Sequence, residues 1–360
     1  MAFLKNVWYC AGWAYELEDK GHYARKILGE SVLVFRKEDG EVAAMSNVCP
    51  HRFAPLVKGL RRGDNFVCPY HGLEFNAEGK CVGNPNEGGI PKAAVLKTYP
   101  LVELWGALWI WMGDPARADE DLIPDFSMAH DREGWAVVRG FLFTEANYEL
   151  VVDNLMDRTH VQHLHPLLRF TEERPPNFER NQSIEQVSDT QLWDYHEELN
   201  SPPFPILKLT WPDAPDDIMN YFDVRWDAPG NMLLHAGTTQ MGTNREVGSH
   251  TEGANLITPA DENHTWYFWS QARDINIDNA EIDAGLKKGV ADTFEFEDGA
   301  MVADCAELMD TLGSSDLMSL KPVLLPSDAG AIRVRRMLQA LIAKEQAEEA
   351  AEKEKVLATG

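Results

Sequence analysis

Two short stretches pair a thiol with an imidazole. Cys49-Pro50-His51 is followed, after a gap of sixteen residues, by Cys68-Pro69-Tyr70-His71. Two thiolates on one iron and two neutral histidines on the other make a [2Fe-2S] centre whose reduction potential lies above that of an all-cysteine cluster. The same four residues could form a Cys2His2 zinc site. Zinc sites of that ligation usually present their cysteines together and their histidines together, whereas here the types alternate, which favours the iron-sulfur centre. Pro50, Pro69 and Gly72 supply turn chemistry for two loops that must converge on one cluster.

A second set lies in Asp153 to His165, DNLMDRTHVQHLH, on a helix expected from Tyr148 to Leu164. At 100° per residue, Asp153, Asp157, His160 and Leu164 fall within about 60° of one another, with Asn154 and His165 beside them. Two histidines and a carboxylate with open positions form the facial triad in which Fe(II) meets O2. On an ideal helix His163 is nearer to His160 than His165 is, so spacing leaves both open as the second histidine. Pro166 biases His165 away from helical angles and would let it swing toward a metal.

The acid is sought on a long helical pattern from Glu281 to about Thr311, where Asp292, Glu295, Glu297, Asp298 and Asp304 compete. Ile282, Leu286, Val290, Phe294, Val302 and Met309 make its apolar stripe. Asp298 falls inside that stripe, where a carboxylate is costly unless paired or bound to metal. Glu297 sits at the edge, and Gly299 loosens the helix enough to keep Glu297 open as the alternative.

These residues need scaffolds of two kinds. Ser31 to Ser46 reads as a hairpin about Asp39-Gly40, and Leu73–Val82 and Val102–Met112 repeat the pattern around Gly79 and Gly106, so the first domain is expected to be all-β. Gly113 to Asp125 carries turn and breaker residues, which places the boundary near 117. Residues 118–343 are expected to form an α+β domain, an antiparallel sheet covered by helices, with strands at Met232–Gln240, His250–Thr258 and Thr265–Arg273. His235, Thr239 and Asn255, polar residues on otherwise apolar strands, are candidate substrate-pocket residues, with outward-facing strand positions as the plain alternative. Residues 344–360 read as a charged, helix-favouring, solvated tail.

The 58 acidic against 33 basic residues give a formal charge of −25, which repels nucleic acid and anionic membranes. Five cysteines and the start MAFLKNVWY, without a basic head or long apolar run, argue for the cytoplasm. No run reaches the length of a membrane span. Cys10, Cys81 and Cys305 are expected to be small core residues.

Through KNVWYCAGW, CPHRFAPL, CPYHGLEF, VVDNLMDRTH and WYFWSQAR, the chain resembles the Rieske non-heme iron oxygenases, and within them the vanillate and dicamba O-demethylase oxygenase components. The likeness covers nearly the whole chain. It implies a Rieske domain followed by a helix-grip catalytic domain, cluster ligands Cys49, His51, Cys68 and His71, and mononuclear iron. The family pattern D-x2-H-x4-H maps onto Asp157, His160 and His165, and FEFEDGAMVADC aligns its acid with Asp298. It further implies a homotrimer in which Asp157 connects His71 of one subunit to His160 of the next, with Asn154 near the iron. The implied partner is a flavin and ferredoxin-type reductase using NAD(P)H. The implied reaction is oxidation of an aromatic compound by O2, here demethylation of a methoxylated aromatic acid with release of formaldehyde. Ring hydroxylation, N-demethylation and pure electron carriage are the alternatives.

Overall fold

A computed structural model describes residues 2–18, 21–166, 174–202, 215 and 217–359; Met1 and Gly360, the ends of the expected domain ranges, lie outside. The chain divides into two compact units. One holds Phe3–Ile123 with Thr258–Glu262, and the other holds Pro124–Ile257 with the chain from Asn263 onward.

Short strands with tight turns build the first unit, as alternating β-prone runs and glycine turns require. β1 (Trp8–Trp13), β10 (Leu101–Leu104) and β11 (Ala107–Trp111) form one sheet. β2 (His22–Ile27), β3 (Glu30–Arg36), β4 (Val42–Ser46) and β9 (Thr98–Tyr99) form a second, and β5 (Leu60–Arg62), β6 (Asn65–Val67), β7 (Glu74–Phe75) and β8 (Cys81–Gly83) form a third. The hairpins expected at 31–46, 73–82 and 102–112 are the pairs β3–β4, β7–β8 and β10–β11. One of its two cores gathers Leu33, Phe35, Met45, Leu56, Phe66, Leu73 and Phe75 around Cys49 and Cys68.

The second unit is a seven-stranded antiparallel sheet in the order β12-β18-β17-β16-β15-β14-β13. Its strands are β12 (Ala136–Thr144), β13 (Glu179–Gln186), β14 (Gln191–Ser201), β15 (Ile218–Asp227), β16 (Asn231–Gln240), β17 (Ser249–Pro259) and β18 (Thr265–Arg273). Side chains alternate between its faces. Tyr267 marks the inner one, with its ring centroid 4.7 Å from that of Phe294 on a helix.

Two helices depart from the expected pattern. The helix at 148–164 is broken into α1 (Tyr148–Met156) and α2 (Val161–Leu164). Asp157 is extended (ψ 137°), and its Oδ1 accepts from the Thr159 amide and hydroxyl, 2.8 Å each. That local turn competes with the next helical hydrogen bond, so the helical wheel does not describe His160 or His165. The second pattern is α3 (Ala280–Asp292), a π-helical turn over Thr293–Asp298, then α4 (Gly299–Thr311). The chain ends in one helix, α5 (Ala329–Thr359), with no break at 344, because the Ala, Glu and Lys of the expected tail keep helix-forming propensity after the apolar face has ended. Cys10 is buried and Cys81 half-buried, but Cys305 is exposed on the outward side of α4, so it is no core residue.

Candidate functional site

The first site begins as two copies of one turn. The Cys49 amide donates to Ala54 O and the Phe53 amide to Cys49 O (3.0 and 2.9 Å); Cys68 to Leu73 O and Gly72 to Cys68 O repeat this at 2.8 and 3.0 Å. The fifth residue of each turn is left-handed, Phe53 at φ 57° and Gly72 at φ 77°. Gly72 is required twice over, because a Cβ there would also come within 2.7 Å of Pro85 Cγ. Both thiols point inward, 1% and 3% exposed, and burial, with the Cys68 thiol beside it, pushes Cys49 up to about 11. The rings of His51 and His71 lie 4.5 Å apart, and His71 Nδ1 is buried with no hydrogen-bond partner among the described residues. An unpaired buried nitrogen is costly unless a metal takes its lone pair, so this donor set fits a two-iron cluster with its histidines outward.

In the second unit the broken helix brings His160 and His165 to the same carboxylate. Their Nε2 atoms lie 3.3 and 3.4 Å from Asp298 Oδ1, and one donor atom from each residue falls within 4.8 Å of the others. Each imidazole is aimed by an acid on its far side. His160 Nδ1 donates to Asp157 Oδ2 (3.2 Å), and His165 Nδ1 donates to Glu297 Oε2 (2.7 Å). A carboxylate behind each ring leaves Nε2 as the metal-facing atom and raises its basicity. Asn154 Nδ2 donates to Asp298 Oδ1 (3.1 Å).

Burial works against charge on these groups, but their mutual hydrogen bonds prevail. His160 rises to about 9 through Asp157 and Asp298, and Asp298 falls to about 2 through both histidines. Three carboxylates around two imidazoles thus favour positive charge here, and a divalent metal would take the place of the imidazole protons. The exposed His163 is not in the group. Glu297 is the partner of a histidine, placed there by the π turn, whose wider pitch swings Asp298 and Glu297 toward different atoms of the two rings. Gly299 closes that turn: its amide donates to Phe294 O, and a Cβ would sit 2.5 Å from the same oxygen.

Asp153, expected on the polar side of the helix, turns to α5. Arg335 holds both its oxygens (2.6–2.9 Å) and Glu149 Oε2 (2.6 Å), and the arginine is 3% exposed. Nothing in the spacing announced this clamp, because Arg335 stands beside Arg333 and Arg336 in the run IRVRRM and no pattern marks it out from them. Of the pocket candidates, Asn255 is cross-strand from Met232 and accepts from the Tyr267 hydroxyl (2.7 Å), so it lies on the inner face. His235 and Thr239 occupy the opposite face. His235 Nδ1 is 2.7 Å from Glu252 Oε1, and the Thr239 hydroxyl is 2.6 Å from that of Thr243. Strand alternation alone separates the three.

Residues 7–100 match the family model described as the Rieske [2Fe-2S] domain, and residues 144–344 match the vanillate O-demethylase oxygenase C-terminal domain. The chain belongs to the Rieske-type non-heme iron oxygenases, as an oxygenase component carrying a [2Fe-2S] cluster and a mononuclear iron. Within that family it is 36% identical to the chloroacetanilide N-alkylformylase oxygenase component of Rhizorhabdus wittichii, covering 95% of this chain and 97% of that one. It is 34% identical to the dicamba O-demethylase oxygenase component of Stenotrophomonas maltophilia, covering 95% and 98%. Its fold matches that of dicamba monooxygenase bound to 3,6-dichlorosalicylic acid with a TM-score of 0.88, at 32% identity over 96% of this chain and all of that one. Among the described residues, no helix is long and apolar enough to cross a membrane.

Proposed function

We propose that this chain removes the methyl group of a methoxylated aromatic acid, with residues 1–117 as cluster domain and 118–343 as catalytic domain. The observation that carries the reading is the convergence of His160, His165 and Asp298, each imidazole backed by a carboxylate. Cys49, Cys68, His51 and His71 hold the cluster, and His160, His165 and Asp298 hold the iron. When bound, these groups supply single electrons and activation of O2. The protein fixes the imidazole tautomers through Asp157 and Glu297, holds Asp298 through Asn154, and positions the substrate against the inner face of the sheet. The balance is one methoxyarene, O2, two electrons and two protons giving a phenol, formaldehyde and water.

The cytoplasm fits five unpaired cysteines. A separate reductase drawing on NAD(P)H through flavin and a ferredoxin-type centre supplies the electrons, as the relatives' names as oxygenase components suggest. The working unit is a homotrimer, in which Asp157 accepts from His160 and reaches His71 of the neighbouring subunit. N-dealkylation is the second reading, favoured by the 36% identity to the N-alkylformylase component. Oxygen uptake and formaldehyde release over a panel of methoxybenzoates, with reductase and NADH, test the choice. A hydroxylated ring with its methoxy group intact overturns it.

A further inference from the structure

The turn that presents His160 also delivers a positive charge to the inner face of the sheet. Arg158 Nη1 donates to Phe222 O (2.8 Å), and its guanidinium lies 4.3 Å from the centroid of the Phe222 ring. Phe222 pairs with Ala236, so it belongs to the inner face with Asn255 and Tyr267. Arg158 and His160 leave the chain two residues apart, their Cα atoms within about 7 Å.

Among the described residues no carboxylate is hydrogen-bonded to that charge, although Glu198 and Asp194 act on it through space. Glu198 on the same face gives only its Oε1 to Arg180, whose Nε and Nη2 reach it at 3.1 and 2.5 Å, while its Oε2 is buried and no hydrogen bond joins it to Arg158 among the described residues. Asp194 receives the Gln182 amide at both oxygens (3.0 and 3.1 Å), with His196 Nε2 at 2.9 Å. Asp223 belongs to the opposite face, where Arg245 holds it at 2.8 Å. Among the described residues Arg158 forms no ion pair, and no acceptor meets its Nε or Nη2. Those two N–H groups make the fork that grips a carboxylate with two parallel hydrogen bonds.

A second donor points the same way. Asn220 lies two residues from Phe222 on β15, about 7 Å along the strand and on the same face. It is 0% exposed; its Oδ1 accepts from the Thr238 hydroxyl (2.7 Å), while its Nδ2 has no acceptor among the described residues. A half-buried cation without an ion-pair partner and a buried unpaired amide on one face are each costly, and a single anionic ligand would satisfy both.

We propose that Arg158 determines specificity by binding the carboxylate of an aromatic acid on the inner face of the sheet, with Asn220 as a second donor. The inference rests on the aromatic-acid reading above. It is tested on the iron-loaded oxygenase by calorimetric titration, without O2, with 3-methoxybenzoate and with its uncharged methyl ester. The wild type should bind the acid more tightly than the ester. Arg158→Met should weaken the acid by about 10–100-fold, the worth of a hydrogen bond to a charged group, and leave the ester within about twofold. Arg158→Lys, a charge without the fork, should fall between and serves if the methionine variant does not fold. Iron and cluster content should match the wild type. An acid-to-ester ratio that is below one in the wild type, or unchanged in both variants, overturns the proposal. Formaldehyde release in the same samples separates the two readings. Acid binding that depends on Arg158 but yields no formaldehyde leaves the anchor standing without the demethylation. Formaldehyde from acid and ester alike, in wild type and variants, leaves the demethylation standing without the anchor.

Discussion

The turns at Cys49 and Cys68 repeat one hydrogen-bond pattern within six residues each, whereas the His160–His165–Asp298 group joins segments more than 130 residues apart. One site is written into its own loops; the other exists only when a broken helix and a π turn are packed on a sheet. The difference teaches where each should fail: the cluster through its ligands and their turns, the iron site through distant packing as well.

Asp298→Ala is the strongest test. It should abolish turnover and mononuclear iron, a larger loss than the about 10–100-fold that follows removal of an outer partner, while the reduced cluster's EPR signal stays intact. Loss of both signals together would collapse the comparison. Next comes Arg335→Met, which leaves Glu149 and Asp153 buried without their cation and should cost about 3–5 kcal/mol in denaturant unfolding of the second unit. Against a total of about 5–15 kcal/mol this is severe, and an unchanged midpoint would show that the clamp contributes nothing.

Gly299→Ala should cost about 1–3 kcal/mol, because the methyl group must displace Phe294 O or unwind the π turn. Iron content should fall with it, read by metal analysis beside the cluster spectrum. Glu297→Gln keeps the shape behind His165 but weakens the acceptor, so Co(II) affinity should drop about 10–100-fold with little change in melting temperature. Retained affinity would make Glu297 a bystander.

The smallest effect belongs to the outer face. The bond to Glu252 raises His235 above the ordinary histidine range, despite partial burial. A raised folded-state value means that the pair stabilises below the unfolded pKa of about 6.5 and that the gain is lost as pH climbs through the folded value. His235→Gln should therefore destabilise the fold more at pH 6 than at pH 9, by less than about 1 kcal/mol in denaturant unfolding, and leave iron content alone.

What was legible in the sequence follows the same division. The hairpins of the first unit and three of the seven strands of the second announced themselves by β-prone runs between turn residues, whereas β12 to β15 did not, and family resemblance pointed to Asp298 as the acid. The helical wheel could not foresee the turn at Asp157, because competition from a side-chain oxygen leaves no trace in apolar spacing. Nor could it foresee the π turn, which adds a residue to the pitch without altering the stripe on either side. Which strand polars share a face depended on register, so His235 and Thr239 parted from Asn255.

The Arg335 clamp also bears on the order of biosynthesis. Asp153 waits 182 residues for the guanidinium that balances it, and Asn154 waits 144 for the carboxylate it holds. A chain growing from its amino end completes both cysteine turns early, but it carries α1 with unbalanced acids until α5 has left the ribosome. Metal insertion should therefore run in sequence, sulfur cluster first. A nascent chain halted before residue 335 should already be able to take the cluster, yet have no secure seat for the second iron.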